Sequence, residues 1–324
     1  MPGITLKKLA ELSGVSIRTV NRVLKEQGDV SSANRELVKS LARKYNYIPN
    51  IAARNFKLQK KNSVGILMNS HLRNEAHLKK TADLERALIA AGYYPLIGGR
   101  KYRDPLLILQ DWMGAVDCVV SFFLPERPEE RAQLKFYPYN YIFIDCENAV
   151  ADFNSIDTDR ATGIGEAFDA LISRNCRKIL HCGYMPGRIK SVSECTASRS
   201  RLADFGFLRS GGHEFEHGYS SGPQVMASGA DAVFFDTDRM AAGFYRYAWE
   251  HHVRIPEDIS VVGFDDDSAS VMLTPPLSTV AHPIDAISAA VLRIVTERPR
   301  EPRHLVFDSH FVDRQSIVTR RVVM

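Results

Sequence analysis

Cysteine is scarce in this 324-residue sequence, and its five positions match no metal-binding or disulfide pattern. They are Cys118, Cys146, Cys176, Cys182 and Cys195, an odd number with no CxxC pair and no CxxH partner. This usage excludes a disulfide scaffold and a zinc ribbon, and it is typical of a reducing compartment. We expect all five side chains to be small core residues, and we predict no metal site.

Long apolar runs and the motifs of common enzyme classes are absent as well. No run approaches the length of a membrane span, and the first residues lack the apolar core of a secretion signal. The HExxH, P-loop, GxSxG and GxGxxG motifs do not occur. The carboxylates of Asp265, Asp266 and Asp267, and those of Asp157 and Asp159, lack the supporting residues of a metal-assisted hydrolase. The sequence therefore favours a cytoplasmic protein that is not an enzyme and needs no cofactor.

The net charge is only +4, but it is distributed unevenly along the chain. Residues 1–61 contain 13 Lys and Arg against 4 Asp and Glu, a net of +9, which leaves −5 for residues 62–324. A basic module on an acidic body is typical of a protein whose one end neutralises the phosphates of a nucleic acid and releases counterions.

Two short helical patterns meet at a glycine within residues 4–24. The first covers Leu6–Ser13, with Thr5 in the position of an N-cap, and Gly14 ends it because glycine tolerates a left-handed turn. Ser16 is placed to cap a second helix over Ile17–Leu24. This order predicts a helix-turn-helix, and an ordinary helical hairpin with a solvated charged face is the alternative.

The second helix presents a polar and basic outer face. Its residues are Ile17, Arg18, Asn21, Arg22 and Lys25. Arginine and asparagine side chains bind base edges as well as phosphates, so this face fits a recognition helix. A third helix, predicted over residues 32–45, completes a three-helix headpiece.

From residue 62 onward the pattern changes to buried apolar runs that alternate with amphipathic stretches, which predicts an α/β body. Strands are expected at 63–68, 118–123, 141–145, 178–182, 232–235 and 260–264. Helices are expected at 81–91, 162–173, 240–251 and 284–296.

Four segments, in this order, carry a resemblance to a known family: GVSIRTVNRVL, YNYIPNIAARNF, DISVVGFDDD and PPLSTV. With them the chain resembles the lactose-repressor/galactose-repressor family of bacterial transcription regulators over nearly its whole length. The resemblance implies an all-α helix-turn-helix headpiece, residues 1–48, followed by a hinge helix and linker, 49–61. It further implies an effector-binding and dimerisation domain, 62–324, of two Rossmann-like subdomains of periplasmic-binding-protein type I. The N-subdomain would hold 62–159 and 282–311 and the C-subdomain 160–281 and 312–324, with crossings near Asp159, His282 and Val312.

The same resemblance implies the function. We expect a homodimeric, sequence-specific DNA-binding regulator, most simply a repressor on a palindromic operator in double-stranded DNA, in the cytoplasm and associated with the nucleoid. A small polar effector such as a sugar or sugar phosphate would control its operator affinity. The alternatives are an exported solute-binding protein, which needs a signal sequence and no basic headpiece, and a family member that has lost effector control.

The resemblance assigns DNA contacts to the headpiece and to the hinge. The residues are Thr5, Ser16, Ile17, Arg18, Thr19, Asn21 and Arg22 in the headpiece, and Asn50, Ala53, Arg54, Phe56 and Lys57 in the hinge. By the same match Phe56 is an apolar wedge in the minor groove, where the family usually has leucine. A structureless linker is the alternative for the hinge. Lys8 and Asn21 depart from the family pattern, so base preference does not carry over.

For the effector, the useful residues are polar groups where strands end, because the crevice of an open α/β sheet lies there. Asp265 follows ISVVGF, and the resemblance adds Arg201, Thr237 and Asp238, with Asn69 as a further polar contact. A loop cap is the alternative for Asp265 and a surface ion pair for Arg201. The segment 206–231 is short for the family, from which we expect that a helix before residue 232 is omitted.

One mutation tests the hinge. We predict that Phe56→Ala weakens binding to the operator much more than binding to unrelated DNA, because only the operator complex uses the wedge. Binding titrations on both kinds of fragment measure this, and equal losses would refute the role of Phe56.

Overall fold

The computed structural model describes residues 4–24, 26–47, 62–68, 75–99, 104–125, 127–137, 139–146 and 151–320. The chain divides into two compact units, Met1–Lys61 and Asn62–Met324. Some predicted site residues lie outside the described ranges: Asn50, Ala53, Arg54, Phe56, Lys57 and Asn69.

The first unit is the predicted three-helix headpiece. Its helices are α1, Leu6–Ser13; α2, Ile17–Leu24; and α3, Ser32–Lys44. The Thr5 hydroxyl accepts a hydrogen bond from the Lys8 amide at 3.2 Å, and Gly14 has a φ of 66°. The three helices enclose a small core in which Leu9, Val20 and Val38 are fully buried. The predicted helix-turn-helix is therefore confirmed.

The second unit begins with a sheet whose hydrogen-bonded strands are all parallel. In chain order its elements are β1, Ser63–Met68; α4, Glu75–Ala90; β2, Tyr94–Gly99; α5, Pro105–Asp111; β3, Cys118–Ser121; α6, Pro128–Leu134; β4, Asn140–Ile144; and β5, Asn154–Asp159.

The chain then builds a second sheet. Its elements are α7, Arg160–Ser173; β6, Lys178–Gly183; α8, Pro186–Ala197; β7, Asp204–Arg209; α9, Phe215–Ser220; α10, Gly222–Ala227; β8, Ala232–Phe235; α11, Asp238–Glu250; β9, Ser260–Phe264; α12, Ser268–Met272; and β10, Ser278–Ala281. The remaining elements are α13, Ile284–Glu297; β11, His304–Asp308; and β12, His310–Val312.

The last three elements cross between the sheets. Helix α13 packs on α4 of the first sheet, and β11 joins that sheet beside β5. Strand β12 returns to the second sheet, antiparallel to β10. The third crossing therefore lies at Ser309 and not near Val312 as expected, because His310 and Phe311 already pair with β10. We call the two parts of this unit the first lobe and the second lobe, after their sheets.

The strand order is β11-β5-β4-β3-β1-β2 in the first sheet and β12-β10-β9-β8-β6-β7 in the second. In each sheet the order reverses at the first strand, β1 or β6. Because a ligand crevice forms beyond the carboxyl ends of strands at such a reversal, this topology places the candidate site before any side chain is considered.

All six strands predicted from buried apolar runs are present, with ends within two residues of the predicted ones. The sequence pattern missed β2, β5, β7, β10, β11 and β12. These strands are short, polar or at a sheet edge: β5 reads NSIDTD, and β7 contains only exposed and half-buried residues. Sheet neighbours, and not apolar runs, stabilise them.

Two further expectations were wrong. Helix α4 begins at Glu75, six residues before the predicted start, because its inward-facing Lys80 interrupts the apolar pattern of a buried face. Segment 206–231 does not omit a helix before β8, since α9 and α10 both lie there.

The crossing of α9 and α11 depends on glycine. A Cβ atom on Gly243 would lie 1.9 Å from the carbonyl oxygen of Phe215. We predict that Gly243→Ala lowers the free energy of unfolding by at least about 3 kcal/mol, because backbone and not a flexible side chain blocks the methyl group. Gly99→Ala is the control, since a Cβ there has no neighbour within 4 Å. Equal denaturation midpoints for the two variants would contradict the prediction.

Candidate functional site

A cavity of about 250 Å³ lies between the lobes of the second unit. Its lining is polar and contains acidic and basic side chains together with one phenyl ring and two histidine rings. The lining residues are Ala76, His77, Lys80, Phe122, Asp145, Arg160, Met185, Pro186, Gly187, Arg188, Asp265 and His282.

Most of these side chains follow the carboxyl end of a strand, as the topology requires. Phe122 follows β3, Asp145 follows β4, Arg160 follows β5, Asp265 follows β9 and His282 follows β10. The loop after β6 and the start of α8 supply the wall that includes Arg188, and α4 supplies the opposite wall. The two lobes therefore contribute comparable shares of the lining.

A chain of hydrogen bonds and ion pairs crosses the cavity. The Lys80 ammonium pairs with the Asp145 carboxylate and also lies 3.1 Å from Nδ1 of His282. His282 Nε2 lies 3.2 Å from Oδ1 of Asp265, and Nη2 of Arg188 lies 3.7 Å from the same oxygen. We call these five residues, from Asp145 to Arg188, the cleft relay.

The protonation states follow from burial and from these partners. Burial, followed by the Lys80 charge, lowers the pKa of His282 to about 4, so the ring is neutral at neutral pH. A neutral His282 accepts from Lys80 at Nδ1 and donates to Asp265 from Nε2, which agrees with both distances. Burial alone would raise the pKa values of Asp145 and Asp265. The Lys80 charge holds the pKa of Asp145 below its usual value, and the hydrogen bond from His282 together with the Arg188 charge does the same for Asp265. Both carboxylates are therefore charged.

Arg188 is held tightly although it carries a charge. Its side chain is 4% exposed and lies over the ring of Phe264. The start of α8 beside it is fixed by the buried Asp236 carboxylate, which accepts from the amides of Tyr184 and Met185 at 2.7 Å each. Among the described residues, Nη1 of Arg188 has no hydrogen-bond partner.

Of the predicted effector residues, Asp265 lines the cavity and Arg201 does not. Arg201 is exposed in the turn after α8, beside Arg177, at the amino end of β7. The cavity is at the carboxyl ends of the strands, so Arg201 lies at the opposite edge of the sheet. The arginine that faces Asp265 is Arg188, thirteen residues earlier in the sequence.

Thr237 and Asp238 also lie away from the cavity lining. Thr237 caps α11 by accepting from the Met240 amide at 3.1 Å. Asp238 is fully buried and accepts from the amide of Asp267 and the hydroxyl of Thr279. Both residues therefore stabilise the second lobe, and neither is among the residues that line the cavity.

Sequence reasoning missed Lys80, Asp145, Arg160, Arg188 and His282. Asp145 and Arg188 come shortly after or at the end of predicted strands, so the rule that selected Asp265 would also have found them. Arg160 and His282 follow β5 and β10, which the sequence pattern missed. Lys80 left no such signal, because a lysine on an amphipathic helix ordinarily indicates the solvent-exposed face.

The headpiece presents a second candidate surface. Ile17, Arg18, Asn21 and Arg22 line one shallow concave surface with Gln27, and the Ile17 side chain is 46% exposed. An exposed isoleucine among basic and amide groups fits contact with base edges. The predicted residues Thr5, Ser16 and Thr19 act in capping: the Ser16 hydroxyl accepts from the Thr19 amide at 3.1 Å and contacts its hydroxyl at 2.9 Å.

Three findings concern only the described part of the chain. The five cysteines are buried and unpaired, as expected. No cluster of side chains there is suited to hold a metal ion. No described helix has both the length and the apolar character needed to span a bilayer.

A helix-turn-helix headpiece and a two-lobed α/β body with a polar cleft define a class of protein, the bacterial regulators with a periplasmic-binding-protein-like body. The family model described as "Bacterial regulatory proteins, lacI family" matches residues 5–50, and "Periplasmic binding protein-like domain" matches residues 168–317. Together the two matches cover more than half of the chain. The chain belongs to the lacI family of bacterial regulatory proteins.

Curated relatives align over nearly the full length and are transcriptional repressors. The ribose operon repressor of Escherichia coli (strain K12) is 25% identical over 313 residues, covering 92% of this chain and 94% of that protein. The repressor PurR of Escherichia coli O139:H28 is 28% identical over 342 residues, covering 97% and 96%.

Solved structures share the fold. The lac repressor dimer bound to operator and the anti-inducer ONPF is 20% identical, with a TM-score of 0.77 over 98% of this chain and 99% of that one. A LacI family regulator from Enterococcus faecium with bound ribose is 19% identical, with a TM-score of 0.70 over 80% and 100%. The predicted fold class is thereby confirmed.

The loop after β9 makes stability depend on pH. Asp267 is 8% exposed, and burial, together with the carboxylates of Glu75 and Asp265, raises its pKa to about 6. Because the pKa of Asp267 is higher in the folded than in the unfolded state, ionisation of this group lowers the free energy of unfolding. The loss grows as the pH rises from about 4 through about 6. At higher pH this cost is at most about 3 kcal/mol.

We predict that Asp267→Asn stabilises the protein at pH 8 and has little effect at pH 4, because Asn also caps α12 but carries no charge. The measurement is the difference in thermal midpoint between variant and wild type at the two pH values. Asp285→Asn, an exposed carboxylate on α13, is the control. A difference that stays constant with pH would contradict the prediction.

Proposed function

We propose that this chain is a homodimeric transcriptional repressor that binds a palindromic operator and changes its operator affinity when a small polar effector enters the cleft. The observation that carries the proposal is the presence, in one chain, of an exposed recognition face on α2 and of a polar cavity lined by both lobes. A solute-binding protein does not need a DNA-recognition face.

The cavity limits the size of the effector. Its volume of about 250 Å³ is below the range of roughly 300–1,000 Å³ found for drug-sized ligands. A molecule as small as a monosaccharide fits this space better than a disaccharide does. The lining offers charged donors and acceptors, which suit hydroxyl and other oxygen-bearing groups.

Residues of both lobes meet in the cleft, and this supports a switching mechanism. Lys80 belongs to the first lobe and Arg188 to the second, while His282 stands at a crossing between them. A ligand that contacts Lys80 and Arg188 together has a higher affinity for one relative orientation of the lobes than for others. That difference in affinity is the free energy available to shift the operator equilibrium.

Dimerisation supplies the specificity that one headpiece lacks. A single recognition helix reads only a few base pairs, whereas two at fixed spacing read two half-sites of a palindrome. In the solved lac repressor complex the operator-bound molecule is a dimer. We propose the same assembly here, with the hinge residues Asn50, Ala53, Arg54, Phe56 and Lys57 at the centre of the operator.

The experiment selects genomic fragments that bind the purified protein and then measures affinities for a selected fragment and an unrelated one. In the proposed complex Arg18 contacts a guanine edge and Ile17 a thymine methyl group. Arg18→Ala is expected to weaken the selected fragment by about 1–3 kcal/mol and the unrelated fragment much less. Exchanging Ile17 and Arg18 should change the selected sequence.

Arg43→Ala is the matched control, because it removes the same charge from the exposed surface of α3. We expect it to change the affinity for both fragments by the same factor. If the wild-type protein selects no sequence and shows no salt-dependent affinity for duplex DNA, the proposed function fails.

A further inference from the structure

The charges of the cleft point to the chemistry of its ligand. Building on the proposed function, we propose that the effector is an anion, a polyol of monosaccharide size with a carboxylate or phosphate group. The anionic group binds beside the start of α8, where Arg188, Arg160 and Lys80 contact it. A carboxylate and a phosphate both present an oxyanion, and probes that carry one or the other distinguish the two groups.

The first argument is the charge of the lining. Three cationic side chains line the cavity, Lys80, Arg160 and Arg188, against two carboxylates, Asp145 and Asp265. Burial lowers the pKa values of the two lining histidines, so neither adds a positive charge at neutral pH. The lining therefore has a net charge of +1. The Asp236 carboxylate acts on Arg188 from behind the start of α8, but it does not line the cavity and already accepts from the amides of Tyr184 and Met185. A neutral ligand adds no negative charge to the lining when it displaces water, whereas an anion neutralises the charge of the lining within the cavity.

The second argument is the use of the carboxylates. Asp145 accepts from the Thr158 amide at 2.9 Å and pairs with Lys80, and Arg160 approaches its other side at 3.9 Å. Asp265 is engaged by His282 and Arg188. Hydroxyl donors of a neutral sugar would compete with cations for these oxygens. An oxyanion instead adds an acceptor, which suits Nη1 of Arg188.

The third argument is the state of Arg188. Its Nη1 is buried without a hydrogen-bond partner among the described residues, and an unpaired buried donor costs about 1–3 kcal/mol or more when charged. The guanidinium plane is fixed against Phe264, so its orientation is set before a ligand arrives. A planar fork of N–H groups matches the two oxygens of a carboxylate or phosphate.

The fourth argument is the helix that begins here. Helix α8 has 12 residues, a proline at its start and no side-chain cap, and Pro186, Gly187 and Arg188 all line the cavity. The amides of a first helical turn have no acceptor within the helix, and the helix dipole favours an anion beside them. Asp236 occupies the amides of Tyr184 and Met185, which leaves those of Gly187 and Arg188 for a ligand.

The experiment uses the full chain and sets of probes in which each anion shares the carbon skeleton of its neutral parent. The probes are D-ribose, D-ribonate and D-ribose 5-phosphate, then D-glucose, D-glucuronate and D-glucose 6-phosphate, with inorganic phosphate alone. Calorimetric titration gives each affinity, and operator titration with and without each probe gives its effect on DNA binding. At least one anion should bind ten-fold or more tightly than its neutral parent, and added salt should weaken it. The carboxylate and phosphate arms identify the source of the oxyanion.

Two variants with matched charge loss locate the anion. Arg188→Gln should reduce the affinity for the anionic probe at least ten-fold more than that for the neutral parent, and Arg201→Gln, at the opposite edge of the sheet, should leave both affinities unchanged. The comparison of probes on the wild-type protein needs no variant, so a misfolded Arg188→Gln does not remove the test.

The outcomes separate this inference from the function beneath it. Binding of a neutral sugar as tight as that of its anions, or no binding by any anion at millimolar concentration, overturns the anionic effector even if the protein selects an operator. Loss of operator selection is a different result, and it removes the proposed function itself.

Discussion

The rest of the cleft depends on where the Asp265 carboxylate is held. Asp265 has a φ of 110°, a conformation that costs a non-glycine residue roughly 1–3 kcal/mol and persists only where its surroundings enforce it. Here the Asp265 amide donates to the carbonyl of Val280 at 2.9 Å, which ties the end of β9 to β10. The turn directs the carboxylate to His282 and Arg188 together. A strained backbone at a ligand crevice is thus maintained by sheet hydrogen bonds.

From Asp265 the cleft relay reaches the other lobe through a neutral histidine. His282 connects Asp265 to Lys80, whose side chain is 2% exposed and whose ammonium completes the relay at Asp145. Removing one member leaves a buried charge without its partner, which generally costs about 3–5 kcal/mol. The relay therefore fixes how the lobes meet, and it explains why a helix of the first lobe carries a buried lysine. A ligand that enters the cavity acts on a set of charges that is already connected across the cleft.

The sequence predicted the headpiece and the central strands because their signals are local. A capped helix, a glycine and a second capped helix specify the turn around Gly14, and runs such as Ser63–Met68 are buried on both faces. The site was predictable only where it follows such a strand, as Asp265 does. Matching the SRSRLADF segment to the family placed Arg201 in the site, but α8 ends at Ala197 and the chain enters β7 directly, which leaves Arg201 at the wrong edge of the sheet. Lys80 required the tertiary structure, since only its partners explain its burial.

Hydrogen bonds outside the cavity also connect the two lobes and stabilise the arrangement on which an effector acts. Glu75 of α4 accepts from the amide and the hydroxyl of Ser268 at 2.7 and 3.0 Å, and Lys79 donates to the carbonyl of Asp266. These bonds join the two lobes directly, so they stabilise this relative arrangement of the lobes. A ligand moves an equilibrium only by its difference in affinity between the two states. An ion that bridges Lys80 and Arg188 therefore shifts the equilibrium only by the difference between its affinity for this arrangement of the lobes and its affinity for another.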